Sequence, residues 1–165
     1  MSETKFLEGK SVLVTGSGRG IGRGIALEVA RAGGKVVVND LDPETVQEVV
    51  TEIESAGGSA VANTDSVASW EGASAMVEQA VKAFGKIDAV VNNAGILRDN
   101  IFHKMTPEEF NDVVDVHLLR PGRDLVERAQ HRDALNQPPL LVAAVVEQAH
   151  HVEARRIARQ LAQQE

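Results

Sequence analysis

The eight residues TGSGRGIG, at positions 15–22, restrict the possible folds more than any other stretch of the sequence. They follow the short β-branched apolar run at 11–15, which is typical of a buried parallel strand. They lead into residues 21–34, where apolar side chains recur with the spacing of one helix face until a Gly-Gly pair. Glycines between a strand and a helix let backbone N–H groups approach a diphosphate with no Cβ in the way. The stretch therefore predicts a dinucleotide-binding turn.

The same alternation of apolar runs and helix-periodic segments continues to about residue 119. The last helix of this series, predicted for 107–119, begins with a Thr cap, a Pro and then Glu109 at its third position. Such alternation implies right-handed crossovers and a parallel sheet covered on both faces. We predict a partial α/β, Rossmann-like parallel sheet with strand order 3-2-1-4. Its strands are expected at about 11–15, 35–39, 59–63 and 88–92.

Asp40 indicates which dinucleotide such a site would prefer. It lies 18 residues after Gly22, at the end of the second predicted strand. A carboxylate there can accept hydrogen bonds from both hydroxyls of the adenosine ribose and would repel a 2′-phosphate, which favours NAD over NADP. Arg19 argues for NADP, because a guanidinium in the loop could meet that phosphate. The alternative interpretation of Asp40 is an ordinary loop acid.

Two motifs carry a resemblance to a known family. The TGxxxGxG loop followed by NNAG at 92–95 resembles the short-chain dehydrogenase/reductase family. The stretches VVVND, NNAGILRDNIFHKMT and VDVHL are similar to one branch, the (3R)-hydroxyacyl-CoA dehydrogenase unit of peroxisomal multifunctional enzymes and its bacterial relatives. The resemblance covers residues 7–119. It implies an NAD-linked oxidoreductase lineage that acts on 3-hydroxyacyl-CoA or a similar alcohol/ketone pair.

The resemblance also implies where a cofactor would bind. The glycine loop would hold the diphosphate, Asp40 the ribose, and Asp65 with Ser66 the adenine. Residues 93–95 would lie along the cofactor beside the fourth strand. The full set of implied cofactor residues is Gly16, Ser17, Arg19, Gly20, Ile21, Gly22, Asp40, Leu41, Asp65, Ser66, Asn93, Ala94 and Gly95.

The catalytic residues that the resemblance implies are absent from this chain. The family uses a Ser, a Tyr and a Lys from a later segment, with the Tyr as acid/base at the substrate oxygen. The sequence contains no Tyr, its last Lys is Lys104 and its last Ser is Ser74. His117 occupies the position at which most of the family has an Asn. A single His in a helix is more often packed or solvated than catalytic, so no catalytic residue is predicted.

The character of the sequence changes after about Leu119. All but one of the 14 glycines lie before residue 96, and residues 120–165 contain no Lys, Ser or Tyr. We interpret 1–119 as an NAD-binding half-domain and 120–165 as an unrelated helical tail, with an Ala-rich run from Leu140 as a long helix. A frameshifted reading frame and a fusion both fit this tail. The outer edge of the fourth strand is exposed unless the tail covers it.

Bulk composition excludes several kinds of partner. The net charge of −7 disfavours nucleic acid, and the absence of Cys excludes thiolate metal sites; no metal site is predicted. No stretch approaches the roughly 18 apolar residues of a membrane span, and the N-terminus has no signal-peptide pattern, so we expect a cytoplasmic protein without membrane contact.

Three functional hypotheses follow from the sequence. The first is a truncated dehydrogenase that binds a dinucleotide and is catalytically incompetent alone. The second is a complete enzyme whose missing residues come from a partner chain. The third is a non-catalytic interaction protein that pairs with a full-length homologue. Helix 107–119 is the expected contact of a homo- or hetero-oligomer.

Overall fold

The computed structural model describes residues 5–98, 101–116 and 141–144. Its strands form one parallel sheet in the order β3-β2-β1-β4-β5. The predicted order 3-2-1-4 is therefore confirmed, with one further strand beside β4. The strands are β1 Ser11–Val14, β2 Lys35–Asn39, β3 Ser59–Asn63, β4 Ala89–Asn92 and β5 Leu141–Ala144.

Helices alternate with the first four strands. A short 3₁₀ turn, Phe102–Lys104, precedes the last of them. None of the helices in the described part of the chain is long and apolar enough to cross a membrane. The α-helices are α1 Gly20–Arg31, α2 Pro43–Ser55, α3 Trp70–Phe84 and α4 Pro107–Val114.

Side-chain caps define where three of these helices begin. The Asp42 carboxylate accepts hydrogen bonds from the first turn of α2, and the Ser69 hydroxyl accepts one from the first turn of α3. At α4 the predicted capping box is confirmed, because Thr106 and Glu109 satisfy each other's backbone N–H groups. α3 ends at Gly85, whose φ of +84° favours glycine.

The core lies on both faces of the sheet. Successive strand residues point to opposite faces, so Val36 and Val38 pack with α1 and α2, whereas Val37 packs with α3. The β1 residues follow the same alternation, and all of them are buried. Burying one such aliphatic side chain contributes about 1.5–3 kcal/mol. This two-sided burial explains why the strands are continuous apolar runs.

The helix predicted from Leu140 onward is wrong at Leu141–Ala144, which form β5. β5 pairs in parallel with β4, and Ala89 lies opposite Leu141. The edge of β4 offers unpaired N–H and C=O groups, and a short apolar run such as LVAA can satisfy them as well as it can form a helical turn. Strand β5, which belongs to the tail, therefore covers the outer edge of β4. The other predictions for 120–165 lie outside the described residues.

Proline substitutions in β5 test its pairing with β4. Successive N–H groups of a strand point to opposite edges, so only one of Val142→Pro and Ala143→Pro removes a hydrogen bond to β4. We expect that variant to lose about 1 kcal/mol or more of unfolding free energy and therefore to unfold at a lower temperature. It should also associate through the uncovered edge. The other variant is its matched control. Thermal unfolding and light scattering measure both effects, and wild-type behaviour of both variants would contradict the pairing.

Candidate functional site

A cavity of about 560 Å³ lies at the carboxyl ends of β1, β2 and β4. This end of an open parallel sheet is where ligands bind in such folds. All of the predicted cofactor residues except Ser17 line the cavity. Asn39, Val67, Ile96 and Val116 line it as well, and the sequence analysis did not identify them.

The glycine loop depends on the absence of side chains at two positions. A Cβ on Gly16, whose φ is +61°, would lie 2.8 Å from the Cα of Ala94. A Cβ on Gly22 would overlap the carbonyl oxygen of Gly16. Gly20 differs from both, since its φ is +56° and a Cβ there would meet nothing within 4 Å. The loop is therefore packed on its inner side and open at Gly20, where a ligand could approach the backbone.

The N-terminus of α1 has unsatisfied donors. Its first-turn N–H groups receive no side-chain cap from Arg19, and no acidic residue occupies the first turn. By contrast, each of the other α-helices in the described residues has a side-chain cap. Uncapped N–H groups and the positive end of the helix dipole favour an anion. This end of α1 faces the cavity through Gly20, Ile21 and Gly22.

Thr15 and Asn93 join the glycine loop to the loop that follows β4. The Thr15 hydroxyl oxygen accepts hydrogen bonds from the backbone N–H groups of Asn93 and Ala94, each at 3.0 Å. The Asn93 side-chain amide donates to the carbonyl oxygens of Thr15 at 3.0 Å and Gly16 at 2.9 Å. These bonds fix two walls of the cavity relative to each other. Sequence reasoning assigned Asn93 to the cofactor and did not identify Thr15, whose only signal is a polar residue ending a buried strand.

Asp40 lies at the rim of the cavity beside the loop. Its carboxylate accepts a hydrogen bond from the Gly18 N–H at 3.1 Å, and the side chain is half-buried. A Cβ on Gly18 would overlap the Thr45 hydroxyl. Gly18 therefore lets the loop approach the carboxylate closely. Arg19, next in the loop, forms an ion pair with Asp42 at 2.8 Å.

A buried amide network supports the end of the cavity formed by Asp65 and Ser66. The Asn39 side-chain amide donates to the Asn63 side-chain oxygen at 2.7 Å and to the Asp65 carbonyl at 2.9 Å. The Asn63 amide in turn donates to the Asp65 carboxylate at 2.7 Å. The network holds Asp65 at the cavity wall. It brings together residues 26 positions apart, so no local pattern could have revealed it.

Ser17 is placed differently from the other predicted cofactor residues. Ser17 is fully buried beneath the loop, where its hydroxyl donates to the Val14 carbonyl at 2.7 Å and accepts from the Asn39 N–H at 3.0 Å. In this arrangement Ser17 supports the loop and does not line the cavity. His117 lies outside the described residues. The described residues contain no group of three His, Asp or Glu side chains that could hold a metal ion.

Comparison with known proteins connects this geometry to a family. A peroxisomal hydratase-dehydrogenase-epimerase from Saccharomyces cerevisiae is 50% identical over 116 residues, which is 65% of this chain and 13% of that protein. A short chain dehydrogenase structure from Mycobacterium avium aligns with a TM-score of 0.78 and 36% identity over 84% of this chain and 54% of that one. A structure of a 3-ketoacyl-(acyl-carrier-protein) reductase from Brucella melitensis, solved with NADH, aligns with a TM-score of 0.70 and 35% identity. The alignment covers 82% of this chain and 56% of that one.

The family assignment rests on how much of the chain is matched. Residues 10–120 match the family described as short chain dehydrogenase. The chain spans between 13% and 56% of the length of the three relatives, so it corresponds to one part of each. The resemblance seen in the glycine loop and the NNAG motif is confirmed. The chain belongs to the short-chain dehydrogenase family.

Proposed function

We propose that the chain binds NAD in this cavity and that the 165-residue chain alone turns over no substrate. By lineage it is related to short-chain dehydrogenases, and we infer an alcohol/ketone pair such as 3-hydroxyacyl-CoA as the substrate class of the lineage. The observation that carries the proposal is the Asp40 carboxylate beside the glycine loop, at the rim of a cavity that the uncapped end of α1 also faces. One relative of similar fold was solved with NADH, which supports a nicotinamide dinucleotide as the ligand class.

The residues of the cavity suit a dinucleotide. The open backbone at Gly20 and the free donors of α1 would hold the diphosphate. Asp40 would accept the ribose hydroxyls, and Asp65 with Ser66 would lie against the adenine. Bound NAD would supply a hydride acceptor. The chain's own contribution is to bind and orient the adenosine half.

The preference for NAD rests on charge. A 2′-phosphate would bring nearly two negative charges to the position at which Asp40 accepts the ribose hydroxyls. The carboxylate stabilises a hydroxyl donor there and repels a phosphate. Arg19, the cation in the loop, is paired with the Asp42 carboxylate at this end, which balances its positive charge.

The Asp40→Ala substitution should weaken NAD binding and shrink the preference over NADP. Hydrogen bonds to a charged acceptor contribute about 1.5–3 kcal/mol, so we expect NAD affinity to fall roughly tenfold to a hundredfold. NADP affinity should change less, because the substitution removes the repulsion between Asp40 and the 2′-phosphate together with the hydrogen bond to the ribose. Titration calorimetry with both dinucleotides measures the two affinities. Glu48→Ala, which removes an exposed carboxylate from α2, is the matched control. Equal affinity of the wild-type chain for NAD and NADP would overturn the argument from Asp40.

A second candidate function is pairing with a full-length homologue through α4. None of the residues of α4 is buried in the described structure, and Phe110 is 48% exposed. An exposed aromatic side chain on a helix with no buried residue is available for contact with a partner. Mixing the chain with a full-length relative and measuring complex size and activity tests this candidate. A larger complex that Phe110→Ser weakens would support it, and two independent monomers would exclude it.

A further inference from the structure

An ion pair between Arg19 and Asp42 lies beside the end of the cavity that Asp40 and Leu41 line. Arg19 is the only cation among the described residues that line the cavity, and its guanidinium lies 2.8 Å from the Asp42 carboxylate. Asp42 itself does not line the cavity. Among the described residues, the one cation that lines the cavity is therefore paired with a neighbouring acid outside it.

The two carboxylate oxygens of Asp42 have different partners. Oδ1 accepts hydrogen bonds from the backbone N–H groups of Glu44 at 3.1 Å and Thr45 at 3.4 Å, which caps α2. Oδ2 accepts from the Arg19 guanidinium. Because Oδ1 is tied to the start of α2, Oδ2 is held at a fixed place relative to the sheet. The cap thus orients the oxygen that retains Arg19.

We propose that Asp42 is a positioning residue that sets dinucleotide preference by retaining Arg19 away from the 2′ position of the adenosine ribose. The inference rests on the proposed binding of a dinucleotide in this cavity. Asp40 and Asp42 then have separate roles. Asp40 acts on the ribose directly, and Asp42 acts through Arg19, whose guanidinium would otherwise be available to a 2′-phosphate.

The exposure of the Arg19–Asp42 pair limits how much Asp42 can change the affinity for NADP. The Arg19 and Asp42 side chains are 68% and 40% exposed, so water and salt screen their attraction. Pairs of this kind are weak enough for a phosphate to compete for the guanidinium. Releasing Arg19 and removing one repelling carboxylate should together raise NADP affinity about threefold to tenfold. NAD affinity should stay within about twofold, because NAD has no 2′-phosphate.

Asp42→Asn separates the two roles of Asp42. The Asn side-chain oxygen can still cap α2, and Asn is as favourable as Asp at this position. Its amide group replaces Oδ2 and cannot accept a hydrogen bond from Arg19. Asp42→Ser is a second variant with a good cap and no charge. Glu44→Gln is the matched control, because it removes an exposed carboxylate from the same helix turn.

A double-mutant cycle with Arg19→Gln tests whether Asp42 acts through Arg19. The dissociation constants of NAD and NADP are measured by titration calorimetry for the wild-type chain, both single variants and the double variant. We expect Asp42→Asn and Asp42→Ser to raise NADP affinity threefold to tenfold in the wild-type background and less than about twofold when residue 19 is Gln. Glu44→Gln should leave the ratio of the two affinities unchanged.

The outcomes separate this inference from the proposed function. An equal gain in NADP affinity with Arg and with Gln at position 19 would mean that Asp42 acts only as a repelling charge, which overturns the inference and leaves NAD binding intact. No gain in either background also overturns it. Absence of binding of either dinucleotide to the wild-type chain would overturn both the proposed function and the inference.

Discussion

The purified 165-residue chain is expected to show no dehydrogenase turnover with NADH and 3-ketoacyl-CoA substrates. We expect a rate at least about 10⁴-fold below that of a full-length relative. Hydride transfer to a carbonyl leaves an alkoxide that must be protonated, and positioned acid/base groups contribute about 10² to 10⁴ in rate. The sequence has no Tyr and no Lys after Lys104 to perform this step. The substrate must also be held against the cofactor, and positioning contributes more than proton transfer does.

NADH consumption with a panel of 3-ketoacyl-CoA substrates measures this turnover. The control is a mock purification from the same host, because host dehydrogenases would consume NADH. His117, at the position where most of the family has an Asn, is the residue at which an unexpected acid/base role is tested. Activity that survives removal of host enzymes and that falls on His117→Ala would contradict the expectation and make His117 an acid/base.

The Gly22→Ala substitution is expected to destabilise the fold and to abolish dinucleotide binding. The added Cβ would overlap the carbonyl oxygen of Gly16 and would lie 2.5 Å from the Asn93 side-chain nitrogen. Both contacts lie where the two loops of the cavity meet. The contact at Gly16 is with a backbone atom, which moves less easily than a side chain. Overpacking of this kind costs about 1–3 kcal/mol of unfolding free energy. Relief of this overlap requires the backbone to move, which should also displace the N–H groups of α1 that face the cavity.

Gly24→Ala provides the matched control on the same helix. A Cβ at Gly24 meets nothing within 4 Å, so the substitution should leave binding unchanged and should raise stability by up to about 1 kcal/mol. Denaturant unfolding and NADH titration of the two variants measure these effects. Wild-type stability and binding of Gly22→Ala would show that the loop can move away from the added methyl group, contrary to the packing described here.

The sequence predicted the sheet well because its signals are local. Each predicted strand from 11–15 to 88–92 falls within one residue of an observed strand. A strand buried on both faces is a continuous β-branched run, and glycines or caps mark where it gives way to a helix. The strand order 3-2-1-4 is that of the doubly wound dinucleotide-binding fold, which the glycine loop between the first strand and the first helix indicates.

The features that sequence reasoning missed depend on contacts between distant residues. The Thr15 hydroxyl matters because residues 78 and 79 positions later come to rest against it. Asn39 acts through Asn63 and Asp65, on the neighbouring strand and the turn after it. β5 is a strand because the edge of β4 is available to it, whereas its own residues also suit a helix. Only the folded arrangement reveals which partner each of these groups finds.

The proposed function requires that the cavity at the glycine loop bind NAD in preference to NADP. Titration calorimetry of the wild-type chain with each dinucleotide tests it most directly. We expect saturable binding of NAD at one site, with a dissociation constant lower than that for NADP and with binding lost in Gly22→Ala. No saturable heat with NAD, or an affinity for NADP equal to or higher than that for NAD, would contradict it.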